Sequence, residues 1–361
     1  MQGATTARAR DLLIERAGEA ETVGEVFRIA SERLRRVVPF DASVWMSTDP
    51  ATGLPTAPSR AENLGHVGGA DVCARAWELE FFASDVNLFG DLAQASAPVG
   101  ALLLATGGDP GRSTRYRTLL GPHGFGDELR AVLVADGSPW GLVTLLRDEG
   151  AAPFAAHETG LLASLSRPLA EAVREHARSA PGGGGDARGP GLLVFDRDGE
   201  LVSVNDDAEA WLEELAWLDG EHAFGLPLPT FAIGAIMRAR DRGSARARLR
   251  SQASGRWIVC HASCLRDADG RVGDTVLVIE AAKASEIAPI IVQAYELSRR
   301  EQEIAQLVAR GLGTGQIAQR LHLSTHTVRD YVKATFDKVG VSSRGELVAK
   351  LFAEHYAPPD H

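Results

Sequence analysis

The sequence has few cysteines and no long apolar run. Of its 361 residues, three are cysteines, at positions 73, 260 and 264. They are too few and too scattered for a disulfide framework, which is typical of a reducing compartment. No segment approaches the roughly 18 consecutive apolar residues of a membrane-spanning helix, and the N-terminal segment lacks the apolar core of a signal peptide. These absences predict a cytoplasmic protein that does not contact a membrane.

The common catalytic and metal-binding motifs are also missing. There is no phosphate-binding loop of the Walker type and no G-x-S-x-G nucleophile motif. His157 and Glu158 lack the second histidine of a zinc protease, because residue 161 is leucine. Cys260 and Cys264 fall on one predicted strand, which is a poor chelate, so we expect small buried thiols rather than a metal or redox site. The sequence therefore predicts no enzyme, no metal and no cofactor.

Charge is unevenly distributed along the chain. The whole sequence carries 38 Lys/Arg and 48 Asp/Glu, a net charge of -10. Residues 295–356 carry nine Lys/Arg and seven Asp/Glu, or +2, so the remainder has 29 against 41, or -12. The length predicts two to three domains, and an acidic body with a mildly basic end is typical of a modular regulator.

The clearest domain boundary is a predicted flexible linker at 179–190, where four consecutive glycines stand between prolines. Before it, helical periodicity covers about 6–37, strand-like runs occupy 41–47, 128–135 and 140–147, and helices are expected near 71–82, 112–120 and 155–178. We expect turns around Pro50, Pro55 and Pro58. Paired helices, an antiparallel sheet and a closing helix resemble a GAF-type sensor domain, assigned to 1–178.

Residues 191–283 predict a second α+β unit. Short strands at 192–195 and 201–204 flank a hairpin turn, Asn205 begins a helix, and a second helix spans about 230–240. Strands follow at 245–252, 256–265 and 273–280. This β-β-α-α-β-β-β order resembles a compact PAS domain; an unrelated small α+β domain is the alternative.

Residues 284–296 predict an amphipathic connector helix. Ile287, Ile290, Ile291 and Ala294 fall at helical spacing, and Pro289 is tolerated early in a helix. The connector either dimerises and transmits the state of the front domains, or simply packs on its neighbour.

Residues 297–350 carry the most specific pattern. Ser298 and Glu301 form a capping box before a helix that stops at Gly311. A two-turn helix from about Thr314 follows, and Ser324 caps a third helix that ends at Gly340. A fourth helix is expected at 343–352. This third helix has an apolar stripe for packing, while Arg329 and Lys333, four residues apart, project from the opposite face.

This arrangement resembles the LuxR-type (FixJ/NarL-like) DNA-binding domain, here assigned to 297–356. The matching positions are Leu297, Ser298, Arg300, Glu301, Gly311, Ile317, Ala318, Ser324, Thr327, Val328, Lys338, Val341 and Arg344. The resemblance implies that Arg329, Asp330 and Lys333 face bases and phosphates in the major groove. It implies that Ser324, Thr327 and Lys338 hold the DNA backbone, that Arg344 is also a DNA-binding residue, and that the fourth helix helps to form a dimer.

Three residues of the third helix depart from the family pattern: Arg329, Tyr331 and Val339 stand where Lys, His and Leu are common. Asp330 is more consequential, because an acid facing DNA either accepts a hydrogen bond from a cytosine amino group or orients the neighbouring cations. The alternative is a helix-surface ion pair with Lys333.

The predicted fold is thus a multi-domain α+β protein, with GAF-like and PAS-like sensor domains followed by an all-α helix-turn-helix domain. The predicted function is a transcriptional regulator that binds double-stranded DNA as a homodimer and responds to a small-molecule or protein signal. A signalling adaptor or an enzyme with a helix-turn-helix docking module is the alternative. Trp45, Trp77, Trp140 and Trp211 either line ligand pockets or pack in cores.

Overall fold

The computed structural model describes residues 2–64, 70–178, 188–215, 222–223, 226–227, 229–251, 253–266, 269–282, 286–287, 290, 293–348 and 350–351. Most of the predicted linker (179–187) lies outside the described residues, as do 352–356 of the predicted C-terminal domain. The predicted connector (284–296) is described only at 286, 287, 290 and 293–296. Within the described ranges, every helix is too short or too polar to cross the hydrocarbon core of a bilayer.

The first unit is built on a five-stranded antiparallel sheet with the order β2-β1-β5-β4-β3. Its strands are β1 (Ala42–Thr48), β2 (Pro55–Glu62), β3 (Val99–Ala101), β4 (Phe125–Ala135) and β5 (Ser138–Asp148). The β4–β5 hairpin turns on Asp136 and Gly137, whose φ angles are 50° and 79°. Positive φ at both turn residues matches the twist of the paired strands. The strands predicted at 41–47, 128–135 and 140–147 are confirmed within a few residues.

Helices cover both faces of this sheet. They are α1 (Gln2–Gly18), α2 (Val23–Leu34), α3 (Ala70–Phe82), α4 (Phe89–Leu92), α5 (Leu102–Ala105) and α6 (Ala156–Glu175), with short helical turns at Pro110–Arg112, Tyr116–Leu120 and Gly121–His123. Because neighbouring strand residues point to opposite faces, Trp45 packs in the core under α1, α2 and α6, whereas Met46 packs beside Trp77 of α3.

Two strands of this sheet were not predicted. The proline-rich stretch expected to be turns contains β2, with Pro55 as its first residue and Pro58 within it. The expectation was wrong because β2 is an edge strand, where a residue without an N–H group is tolerated. The three-residue β3 is too short to show a periodicity.

The second unit is another five-stranded antiparallel sheet, with the order β10-β11-β12-β6-β7. Its elements are β6 (Gly191–Phe195), β7 (Leu201–Val204), α7 (Asp206–Leu215), β8 (His222–Ala223), β9 (Leu226–Pro227), α8 (Thr230–Arg242), β10 (Ser244–Arg250), β11 (Trp257–Arg266) and β12 (Val272–Ala281). The Asn205 side chain accepts hydrogen bonds from the N–H groups of Ala208 (3.0 Å) and Leu192 (2.7 Å), so it starts α7 and ties it to β6. The predicted element order is observed, with the small β8–β9 hairpin added.

The three cysteines are free thiols. Cys260 is fully buried in the second core, as expected, whereas Cys264, which was also expected to be buried, is half-buried. Burial raises the pKa of the Cys260 thiol far above its ordinary value, so it is unreactive. No group of His, Cys, Asp and Glu side chains within the described ranges has the arrangement of a metal site.

The two sheet units pack through α3 and α8 and through one buried ion pair. Asp49, which is fully buried, accepts from the Arg248 guanidinium at 2.8 Å across the boundary. Close packing of α8 on β2 depends on Gly234, where a Cβ atom would lie 2.8 Å from the Pro55 ring. The units are therefore joined by specific contacts.

The C-terminal unit contains α9 (Arg299–Ala309), α10 (Thr314–Leu321), α11 (Thr325–Val339) and α12 (Arg344–Val348). Ser298 caps α9 and shares a capping box with Glu301, as predicted. Gly311 and Gly340 have φ of 81° and 68°, which places them in the left-handed conformation that ends a helix. The four-helix expectation is confirmed.

A cluster of charges joins the first unit to this one. Arg174 of α6, only 3% exposed, bonds to Asp136 (2.6 Å) and to Glu296 (2.7 Å). Arg178 Nε donates to the Ala294 carbonyl at 2.6 Å. Ile287, Ile290 and Ala294 of the predicted connector are buried in the same apolar core as α1 and α6. The segment before α9 is thus held on α6.

Candidate nucleic-acid interface

The longest helix of the C-terminal unit, α11, is amphipathic because its inward and outward residues alternate at helical spacing. Val328, Thr335 and Val339 are buried against the neighbouring helices. Its exposed residues are Thr325, His326, Arg329, Asp330, Lys333, Asp337 and Lys338. We call the surface formed by Thr325, His326, Arg329, Asp330 and Lys333 the outer face of α11.

Arg329 and Lys333 lie one turn apart on this outer face, as the sequence predicted. Within the part of the chain that the structure describes, neither side chain forms a hydrogen bond or an ion pair. At this spacing the two Cβ atoms are about 6 Å apart, and two exposed cations on one helix face attract phosphate oxygens. Arg329 also has the planar guanidinium that pairs with the acceptor edge of guanine.

The partner of Asp330 within the chain was not predicted from the sequence. Its Oδ2 accepts from His326 Nδ1 at 2.9 Å, one turn earlier on the helix. The predicted alternative, an ion pair with Lys333, is absent among the described contacts. The spacing of four residues between His326 and Asp330 carried the signal for this pair. Both side chains are exposed, at 84% and 67%, so both remain accessible to a ligand.

Ser324 and Thr327 set the first turn of α11. The Ser324 hydroxyl accepts from the Thr327 N–H at 3.0 Å and lies 2.8 Å from the Thr327 hydroxyl. The N-cap predicted for Ser324 is therefore observed. The remaining free N–H groups of this turn form a positive helix end beside the two cations.

Lys338 and Arg344 lie away from the outer face and have partners inside the domain. Lys338 Nζ donates to Glu301 Oε2 at 2.7 Å and to the Glu296 carbonyl at 3.1 Å. Arg344 donates to the Leu312 carbonyl at 2.8 Å and to the Thr314 hydroxyl at 2.7 Å. Both positions join α9 or α10 to later helices, which a linear pattern could not distinguish from contacts with DNA.

Glu301 connects the capping box to this network. Burial raises the pKa of its carboxyl, but hydrogen bonds from Lys338 and Ser298 outweigh burial and hold the pKa below the ordinary value. The charged carboxylate thus fixes the start of α9 to the end of α11. Sequence analysis identified the cap but not its lysine partner.

Residues 295–351 match the family described as bacterial regulatory proteins, luxR family. These residues form a LuxR-type helix-turn-helix domain. The boundary of the match lies within two residues of the predicted start at 297, and it spans all four helices. Within this domain, α10 and α11 are joined by a turn of three residues, 322–324.

Curated relatives match over stretches about as long as this domain. The transcriptional regulatory protein DesR of Bacillus subtilis is 38% identical over 58 residues, which are 16% of this chain and 29% of DesR. The oxygen regulatory protein NreC of Staphylococcus aureus is 42% identical over 52 residues, which are 14% of this chain and 24% of NreC. The chain therefore spans less than a third of the length of each of these relatives.

Solved structures show weaker similarity over longer stretches. Escherichia coli SdiA is 12% identical, covering 96% of both chains with a TM-score of 0.35. Vibrio cholerae VqmA is 21% identical, covering 47% of this chain and 86% of that chain with a TM-score of 0.23. Both scores are below 0.5, so the fold assignment depends on the sheets and helices described above.

Proposed function

We propose that the protein is a transcriptional regulator that binds double-stranded DNA through α11 of its LuxR-type domain. The observation that carries this proposal is the outer face of α11, where Arg329 and Lys333 stand exposed without an intramolecular ion pair beside a capped helix N-terminus. Such a helix fits the major groove, where its cations meet phosphates and guanine edges. Ser324 and Thr327 are proposed to contact the DNA backbone at the same end.

The roles of Lys338 and Arg344 are proposed to be indirect. Because both side chains bond to other helices of the domain, they hold α11 and α12 in place. Loss of either would reduce DNA affinity through the position of α11. Asp330 is proposed to lie at the DNA surface with His326.

We further propose that the chain acts as a homodimer on DNA, paired in part through α12. Paired helix-turn-helix domains read half-sites about one helical turn apart, and each copy has one reading helix. The front units, 1–178 and 191–283, with the linker at 179–190, are proposed as GAF-like and PAS-like sensors. Support comes from the two antiparallel sheets and from the contacts that Arg174 and Arg178 make with Glu296 and Ala294, immediately before the domain.

Fluorescence anisotropy with the full chain and labelled duplex DNA across a salt series tests the proposal. Log affinity should fall linearly with log salt, because bound cations release counterions from DNA. Arg329→Ala/Lys333→Ala should weaken binding and make the slope shallower by about one to two units.

The matched control is Arg242→Ala/Arg271→Ala in the second unit, which removes the same charge from side chains that are 71% and 75% exposed. It should leave the salt slope unchanged. Equal effects of the two double variants would show that only net charge matters. A folded chain without salt-dependent binding would favour the adaptor function instead.

A further inference from the structure

A polar cleft of about 690 Å³ lies at the junction of the two sheet units. It is bounded by Thr52 and Leu54, which precede β2 in the first unit, and by α8, β10 and β11 of the second. Its volume falls within the range of small-molecule sites. The tryptophans considered as pocket residues are instead buried in apolar cores; they are Trp45, Trp77, Trp140 and Trp211.

The charged wall of the cleft contains more cations than carboxylates. Its cations are Arg238, Arg242, Arg246 and Arg248. Asp49 neutralises Arg248 in the buried ion pair between the units. The Oδ2 atom of Asp241 lies 2.9 Å from Arg242 Nε and 3.6 Å from Arg238 Nη1, so one carboxylate serves two guanidinium groups. Positive charge is therefore left over in the cleft.

Arg246 is the least compensated of these cations, because it is exposed and forms no ion pair with a described residue. Its Nε donates to His261 Nδ1 at 3.3 Å, so the imidazole is neutral and carries its proton on Nε2. This Nε2 lies 3.2 Å from Glu286 Oε1. The two Nη groups of Arg246 have no partner in the part of the chain that the structure describes. Both are available to a molecule in the cleft.

The next two guanidinium groups also keep donors that solvent can reach. Arg242 is 71% exposed and uses only its Nε in the bond to Asp241. Arg238 is 29% exposed and stacks on the Phe81 ring, 4.0 Å from its centroid. Its distance of 3.6 Å to Asp241 exceeds that of a hydrogen bond. Stacking thus holds Arg238 in place without using its N–H donors.

The backbone of β10 adds further donors. This strand is at the edge of its sheet and pairs with β11 alone. The Cys264 N–H bonds to the Gly243 carbonyl, whereas the Arg248 N–H bonds to a carboxylate of the first unit. Because the bonds of an antiparallel ladder alternate, the N–H groups of Ser244 and Arg246 also point away from β11. Neither has an acceptor among the described residues.

We propose that this cleft binds a small polyanion, a molecule with at least two phosphate or carboxylate groups. Its oxygens pair with the guanidinium groups of Arg238, Arg242 and Arg246, whose planar geometry suits both kinds of anion. The hydroxyls of the exposed residues Ser244 and Ser263 can donate to the same oxygens. At ~30 Å³ for each water-sized volume, the cleft holds on the order of twenty non-hydrogen atoms.

The position of the cleft connects such a ligand to both sheet units and to the segment before the LuxR-type domain. Thr52 belongs to the first unit, and Arg242 is the last residue of α8 in the second. Arg246 leads through His261 to Glu286 in the predicted connector. A polyanion that draws Arg246 away from His261 would therefore change a contact of the connector. This regulatory consequence, unlike binding itself, rests on the proposed function.

Isothermal titration calorimetry of the full chain with inorganic pyrophosphate, citrate and neutral glycerol tests the proposal. At low salt and without divalent metal, at least one of the two anions should bind saturably, with one site per chain, and glycerol should not bind. Affinity should fall as salt is added, because the exposed charges are screened. The anion that binds more tightly shows whether phosphate or carboxylate oxygens are preferred.

Arg246→Gln should weaken binding of the preferred anion by about tenfold or more, because one charged donor group is removed. The position is exposed and without an ion pair, so the variant should fold, and its thermal unfolding temperature checks this. The matched control is Arg271→Gln, which removes the same charge from a 75% exposed side chain that is not part of the cleft. It should change affinity by less than about twofold.

The proposal is overturned if neither anion binds, if folded Arg246→Gln binds like the wild type, or if the two variants weaken binding equally. It is also overturned if Arg246→Gln makes the salt slope of DNA binding shallower, because the cleft would then hold the DNA backbone. Binding of DNA by α11 is tested with Arg329→Ala/Lys333→Ala, so failure of one proposal leaves the other standing.

Discussion

Arginine occurs in two opposite settings in this molecule. Arg130 lies inside the first unit, paired with Glu80, stacked on Phe89 and closed off from solvent. Arg329 lies on α11, exposed and without an ion pair to any described residue. The first guanidinium is held by the fold, and the second is left available to a partner. Exposure and local pairing, rather than residue type, therefore separate cations held by the fold from cations that are available to a partner.

The largest expected effect comes from applying one substitution to both arginines. Arg130→Met leaves Glu80 and Glu128 as buried carboxylates with fewer partners, which should lower the free energy of unfolding by about 3–5 kcal/mol. Arg329→Met should change it by less than ~0.5 kcal/mol, because the position is on the surface. Urea denaturation followed by circular dichroism measures both. Similar losses at the two positions would contradict the comparison.

A smaller effect is expected at Glu301, which combines a helix cap with an ion pair. Glu301→Gln should lower the free energy of unfolding of the LuxR-type domain by about 1 kcal/mol at neutral pH. The folded-state pKa of Glu301 lies below its ordinary value of 4.5, so its charge stabilises the fold above that pH. The difference between wild type and variant should shrink as pH falls through the folded-state pKa. A difference that grows on acidification would refute this assignment.

Ser324 extends the comparison to a neutral side chain at the N-terminal end of α11. Ser324→Ala removes the acceptor for the Thr327 N–H and should lower stability by roughly 1 kcal/mol, whereas Ser324→Gly should cost only a few tenths. Thermal unfolding of both variants gives the order. If glycine is worse than alanine, the hydroxyl is not the source of the cap.

The smallest effect on stability is expected at Asp330. The same substitution distinguishes repulsion of phosphates from a hydrogen bond with cytosine. Asp330→Asn should leave the unfolding temperature within error, because its bond to His326 is exposed. Affinity for random-sequence DNA should rise by about two- to threefold, since a negative charge near the phosphates is removed. Anisotropy with random and cytosine-containing cognate duplexes measures this. A selective loss on the cognate duplex would instead show that Asp330 accepts from a cytosine amino group.

Local signals in the sequence predicted most helices and strands. Caps at Ser298 and Ser324, and the left-handed glycines at 311 and 340, act over a few residues, so their patterns were sufficient. Strand β2 was missed because its edge position depends on the whole sheet. A pattern read along one segment does not contain that information.

In the candidate site, too, contacts between distant segments could not be predicted from the sequence. Arg329 and Lys333 were predictable because one helix places both on one face. The roles of Lys338 and Arg344 were not, since their partners lie 37 and 30 or more residues away. The buried ion pairs of Arg115 with Glu128 and of Arg130 with Glu80 join β4 to Arg115 and to α3, and they form only once the sheet is assembled.

The exposed outer face of α11 restricts the ways in which this protein could be switched. Among the described residues, no element of the front units covers that face. A signal therefore does not act by removing a described segment from it. A signal can instead change the position of the LuxR-type domain, through the contacts that Arg174 and Arg178 make just before it. In the proposed dimer on DNA, those contacts would set the distance between the two α11 helices. That distance has to match the ~34 Å helical repeat of DNA. If a signal changes this distance, its effect on DNA affinity should depend on the separation of the two half-sites in the DNA.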